Sequence, residues 1–170
     1  MTRSLVDDAF RHHAWATLRL IDACIALDPV RLNAAVPATE RSILNTIRHL
    51  VASDSFELFV ASGEREPFIR TDSMELAEIR AAMEHIGTGW VRLLDEGIDP
   101  DAMTHEIDPD DGFQRQAPMG VRLVAALQHS SDHRSQICTA LTTLGVRPQT
   151  LDAFSFGAED GRVVEVPGRS

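Results

Sequence analysis

Two histidines lie four residues apart in the segment LQHSSDHRSQI, residues 127–137 of the chain. In a helix, side chains at this spacing are stacked one turn apart on one face, so both imidazoles can reach a single metal ion. Both also fall on the stripe that this helix would turn inward, where a buried imidazole needs a partner for its ring nitrogens. The apolar members of that stripe are Leu123, Ala126, Ile137, Ala140 and Leu144. The alternative interpretation is a pair of hydrogen-bonded core or surface histidines.

A metal site of this kind also needs a third ligand. Three protein ligands leave one coordination position open, as catalytic metal sites require. His13 lies on the apolar stripe of the first predicted helix, whereas His49 lies beside the strongest stripe of the second. Periodicity slightly favours His13, and both histidines remain candidates on this evidence.

Four amphipathic segments must position these histidines. Helices are predicted at 4–27, 40–62, 71–96 and 119–144, the third with Thr71 or Asp72 as its N-cap and the fourth ended by Gly145. Asp111-Gly112 predicts a small hairpin or loop between the third and fourth helices, and the tail after Leu144 is expected to be extended. We therefore predict one domain over residues 1–170, of the all-α class, folded as a four-helix bundle.

Composition narrows the function classes. The chain has 170 residues, a net charge of −10 and no lysine among its 16 basic residues, which argues against nucleic-acid binding and excludes Schiff-base chemistry. No histidine follows a glutamate at the Glu-x-x-His spacing of di-iron bundles. Cys24 and Cys138 do not form a disulfide framework. Neither a signal peptide nor a membrane span is predicted, so we expect a cytoplasmic protein that contacts no membrane.

Several segments together resemble the DinB/YfiT-like family of metalloenzymes over nearly the whole chain. HSSDHRSQI matches the family's His-x-x-x-His-Arg-Gly-Gln signature, and HLVASD is similar to the segment that carries the family's first histidine. HHAWATLRLIDA and RPQTLDAFSF resemble the family's opening helix and tail. Thr17 and Ser135 depart from the asparagine and glycine that the family usually has at these positions.

The resemblance implies a divalent metal, typically nickel or zinc, held by His49, His129 and His133. It therefore selects His49 over His13 as the third ligand. It also implies a four-helix bundle that often forms a homodimer. Characterised relatives include transferases and isomerases that use low-molecular-weight thiols such as mycothiol or bacillithiol. The predicted function is metal-dependent activation of a thiol or of water for attack on a small electrophilic substrate.

Arg134 and Asp54 are candidate catalytic residues, and Gln136 is a candidate for a supporting role. Arg134 has a planar fork that suits a substrate carboxylate, or else it forms a salt bridge at the surface. Asp54 is placed to orient a ligand imidazole or accept a proton, or else it lies on a solvated helix face. Gln136 is expected either to support a ligand histidine or to pack as an ordinary polar residue.

A function from a different class is also compatible with the sequence. It is a non-catalytic, metal-stabilised dimeric bundle that acts as a stress or binding protein. A fourth protein ligand closing the site would favour this alternative. An open site that faces a pocket would favour the enzyme.

Overall fold

The computed structural model describes residues 3–108, 111–164 and 166. In this part the chain is mostly helical, with six helices and one two-stranded sheet. The helices are α1 (Leu5–Ile25), α2 (Pro29–Leu32), α3 (Ile43–Ala61), α4 (Leu76–Asp95), α5 (Met119–Thr143) and α6 (Ala153–Glu159), and the strands are β1 (Met103–Ile107) and β2 (Gln114–Pro118).

The sheet makes the prediction of an all-α fold wrong, whereas the predicted hairpin between the third and fourth long helices is confirmed. The strands β1 and β2 pair antiparallel, with Met103 opposite Pro118 and Ile107 opposite Gln114. Buried and exposed residues alternate along β1, as expected for a strand with one face against helices. Gly112 has φ +74°, a conformation that a glycine adopts without a steric penalty.

The termini of the long helices follow local capping chemistry. Ser4, where the first predicted helix begins, is the N-cap of α1, and Gly145 follows the end of α5 with φ +73°, as the sequence predicts. The third predicted helix, however, begins later than expected, because Glu75 is the N-cap of α4 and forms a capping box with Glu78. Thr71 instead donates its hydroxyl to the carbonyl oxygen of Arg48 at 2.7 Å, which ties the preceding loop to α3.

Two short helices were not predicted. Asp28 and Pro29, which follow the predicted end of the first helix, begin α2, with Asp28 as N-cap and the proline in its first turn. The tail after Leu144 is not wholly extended, because Asp152 caps α6 by accepting from two backbone N–H groups. A helix of seven residues makes two turns, too few for a periodic pattern to be recognised.

The four long helices enclose the core. Helix α1 contacts α4 and α5, and α3 contacts the same two helices. Gly87 and Gly89 lie where α4 packs closely against its neighbours: a Cβ on Gly87 would come within 2.9 Å of the Ala14 Cβ. Among the described residues, every helix is too short or too polar to span a lipid bilayer.

Candidate metal centre

Three histidines from two helices converge between α3 and α5. The Nε2 atom of His129 is 3.2 Å from Nε2 of His49 and 3.1 Å from Nε2 of His133. Each ring offers a potential ligand atom, and these atoms all lie within 4.8 Å of one another. The structure thus brings together the three histidines that the family resemblance implied. All three are half-buried, so the cluster lies at the border between the core and solvent.

The nitrogen atoms of this cluster fit a metal ion better than they fit one another. A neutral imidazole has one N–H and one lone pair, so three converging Nε2 atoms cannot all be satisfied mutually. His133 donates its Nδ1–H to Oε1 of Gln136 at 2.8 Å, which leaves its Nε2 unprotonated and facing the other two rings. A set of imidazole nitrogens suits zinc, nickel and similar divalent ions. Gln136 is therefore a support of His133.

Burial favours the neutral form of two of these imidazoles, those of His49 and His129. The pKa of His49 is lowered from its ordinary 6.5 to about 4, chiefly by desolvation and then by the positive charge of Arg41. Desolvation is also the main reason that the pKa of His129 is lowered. Because metal ions bind the unprotonated ring, protons compete weakly for this site near neutral pH.

His13, the rival third ligand, belongs to a different cluster. Its Nε2 lies 2.8 Å from Oδ2 of Asp54, and its Nδ1 lies 3.0 Å from a terminal nitrogen of Arg134. A guanidinium can only donate, so Nδ1 accepts and Nε2 carries the proton that is donated to Asp54. Both ring nitrogens are therefore occupied, and neither can bind a metal. The apolar stripe of α1 correctly indicated that His13 is buried, but not that it is a ligand.

Asp54 and Arg134 extend this cluster into a buried polar network. Asp54 also accepts from Nε1 of Trp90 at 3.1 Å, and Arg134 also donates to the hydroxyl of Thr17 at 3.0 Å. Both charged residues are buried, so a solvated helix face for Asp54 and a surface salt bridge for Arg134 are wrong. Desolvation lowers the pKa of Arg134, and the negative charge of Asp54 opposes that shift. The network joins α1, α3, α4 and α5.

The histidines of α5 lie at the edge of its buried face, whereas the sequence predicted that both lie on the inward stripe itself. Ser130 and Arg134 are buried, whereas His129 and His133 are only half-buried. Successive residues of a helix are offset by about 100°, so each histidine lies beside a more deeply buried polar neighbour. A search for apolar periodicity could not find this arrangement, because it scores serine and arginine as outward-facing.

Two cavities border the histidine cluster. One, of about 460 Å³, is reached by His49, and a more open one, of about 700 Å³, is reached by His133 and Gln136. Arg41 lines both cavities. The first cavity has further lining residues from α3, from the loop after it and from the end of the hairpin strand: Asn45, Arg48, Ala52, Ser53, Phe56, Phe68, Arg70, Thr71, Asp72 and Asp108. The sequence prediction missed the arginines of this wall. The sequence offered one indication of them. Arg48 has no acidic residue three or four positions away on α3, so its own helix supplies no ion-pair partner.

The chain belongs to the DinB family, whose family model matches residues 1–162. This match confirms the resemblance that was drawn from the two histidine-containing segments. No curated protein matches the sequence.

Proposed function

We propose that this protein is a metal-dependent enzyme in which His49, His129 and His133 hold one divalent ion, nickel or zinc. The observation that carries the proposal is the convergence of three imidazoles within 4.8 Å, next to a cavity. Within residues 3–108, 111–164 and 166, no further histidine, cysteine, aspartate or glutamate joins this group. Three protein ligands are typical of catalytic sites, whereas structural sites usually have four.

The frame that we propose for this site is a four-helix bundle formed by α1, α3, α4 and α5. Support comes from the contacts of α1 and α3 with both α4 and α5. The polar network adds a second connection, because Asp54 on α3 and Arg134 on α5 are both bonded to His13 on α1. His49 therefore lies on a helix whose position relative to α5 is fixed by buried hydrogen bonds.

The proposed reaction is nucleophilic attack on a small electrophilic substrate. When bound, a divalent ion on three neutral imidazoles supplies a Lewis acid that lowers the pKa of a thiol or a water molecule beside it. The chain's own part is to keep the rings of His49 and His129 neutral by burial, to fix the His133 ring through Gln136, and to admit the substrate through the cavity at His49. The family resemblance favours a low-molecular-weight thiol such as mycothiol as the nucleophile, with water as the second possibility.

Metal content tests the first step of this proposal. Elemental analysis of untagged protein is expected to give about one divalent ion per chain, which is lost in His133→Ala. His85→Ala is the matched control, because His85 is an exposed histidine of α4 and should leave the metal in place. Absence of metal from the wild type, even after reloading with zinc and nickel, would contradict the proposal.

Activity measurements separate the three functions that a metal-loaded protein could have. Turnover of a small electrophile that requires an added thiol would support transfer, and turnover in buffer alone would support hydrolysis. Bound metal that stabilises the fold, with no turnover in either assay, would instead identify the non-catalytic stress or binding protein.

A further inference from the structure

Three arginines that form no ion pair with a carboxylate of the described residues meet at the cavity beside His49. Arg41, Arg48 and Arg70 all line it, and within the described part of the chain none of them forms an ion pair with an aspartate or glutamate. Other arginines, such as Arg80 and Arg122, do form such pairs. The chain has 26 acidic residues against 16 basic ones, so carboxylates are in excess. Three arginines at one cavity, without an ion pair among the described residues, therefore call for a functional explanation.

Two of these arginines are held in place by contacts that leave their charge uncompensated. Arg48 donates from Nε and from a terminal nitrogen to the carbonyl oxygen of Met74, at 3.1 and 2.9 Å. The guanidinium of Arg70 lies 5.2 Å from the ring centroid of Phe68, a cation–π contact. Neither contact supplies a negative charge. The wall of the cavity is thus positively charged and partly fixed before any ligand enters.

The other groups at the cavity strengthen the effect of its positive charge, although two acids also line it. Asp72 and Asp108 also line it, but the arginines outnumber them, and a divalent ion beside His49 would add to the positive charge. Phe56 and Phe68 form apolar parts of the same wall. Apolar walls lower the local dielectric constant, so charges in the cavity act on a ligand more strongly than they would in water.

We propose that the substrate of this site is a small anion, which Arg41, Arg48 and Arg70 bind by its carboxylate or phosphate group while its reactive part faces His49. The inference rests on the proposed metal-dependent function and specifies its substrate class. The planar fork of arginine matches both groups, which it binds through paired hydrogen bonds. A volume of about 460 Å³ also fits a small molecule.

The test is calorimetric titration of the zinc-loaded protein with two probes, succinate and inorganic phosphate. We expect saturable binding of at least one probe at one site per chain, and the tighter probe identifies the group that is recognised. Arg41→Gln and Arg70→Gln should each weaken binding about tenfold, the loss expected for a charge-assisted hydrogen bond. Both side chains are exposed, so these substitutions should leave the fold intact.

The matched control is Arg147→Gln, which removes an exposed arginine that does not line the cavity. It should bind both probes as the wild type does, and zinc content should be equal in all four proteins. Equal affinity in all variants, or no binding of either probe, would overturn the inference. Arginine-dependent binding by a protein that retains no zinc would uphold the anion site and overturn the metal-dependent function alone.

Discussion

At the scale of single residues, the candidate centre depends on which ring nitrogen of each histidine is protonated. Gln136 decides this for His133, because its Oε1 accepts from Nδ1 and so leaves Nε2 as a lone pair toward the cluster. A supporting residue of this kind affects metal affinity without touching the metal. Its role is therefore measurable separately from that of the histidines.

We predict that Gln136→Leu weakens metal binding about tenfold to a hundredfold, because the His133 ring loses the partner that fixes its tautomer and orientation. Competition with a chromophoric chelator measures this change. Gln136→Glu, which keeps an acceptor oxygen, should retain most of the affinity. Gln128→Leu is the control on the same helix, since Gln128 is exposed. An affinity loss as large for Gln128→Leu would contradict the assigned role.

The lowered pKa of His49 predicts a dependence of stability on pH in the metal-free protein. Between pH 6.5 and about 4 the unfolded chain binds a proton at this ring that the folded chain does not. The contribution of His49 to the free energy of unfolding should therefore be complete above pH 6.5 and should fall as the pH decreases through this window. Thermal melts of metal-free wild type and His49→Gln across this range measure the difference. Parallel pH profiles for the two proteins would contradict the prediction.

At the scale of elements, the buried network explains how four helices are held in fixed positions relative to one another. Asp54 is the residue on which it depends most, because it accepts from both His13 and Trp90 and is the negative charge that accompanies Arg134. Its removal leaves buried donors without an acceptor.

Asp54→Asn is therefore expected to lower the free energy of unfolding by about 1–3 kcal/mol, the cost of an unsatisfied buried polar group. Urea denaturation of the metal-free proteins gives the value. Asp132→Asn is the control, since Asp132 is an exposed acid of α5 and its change should have little effect. If both variants unfold at the same urea concentration as the wild type, the network does not stabilise the fold.

The sequence predicted those elements whose ends or faces have strong local signals. Ser4, Gly145 and the Asp111-Gly112 turn determine local backbone geometry, so their elements were found. Glu75 was missed because Thr71 and Asp72 are stronger N-cap residues by type, and only the tertiary bond of Thr71 to α3 shows its other use. Periodicity slightly favoured His13 over His49, because it records burial and not which side chain each ring meets across the helices.

At the scale of the whole molecule, the distribution of apolar surface bears on association. Leu5 and Phe154 are 86% and 79% exposed, and together with Val163 they line one hollow between α1 and α6. On α4, by contrast, no large apolar side chain is exposed within the described residues. Exposed apolar groups that lie together mark contact surfaces.

We propose that the chain forms a homodimer through this hollow. Light scattering should give twice the mass of the chain, and Leu5→Glu combined with Phe154→Glu should reduce it to the monomer. Val30→Glu is the control, because Val30 is 82% exposed but lies on α2, away from the hollow. A monomeric wild type would contradict the proposal.

The histidines and part of the cavity wall belong to different elements, which has a consequence for how such proteins can evolve. The three histidines lie on α3 and α5, whereas Phe68, Arg70 and Asp72 come from the loop between α3 and α4. Thr71 attaches that loop to the carbonyl oxygen of the residue before His49. Mutation and selection can therefore exchange the loop, and with it the lining of the cavity, while the three histidines and their helices are inherited unchanged.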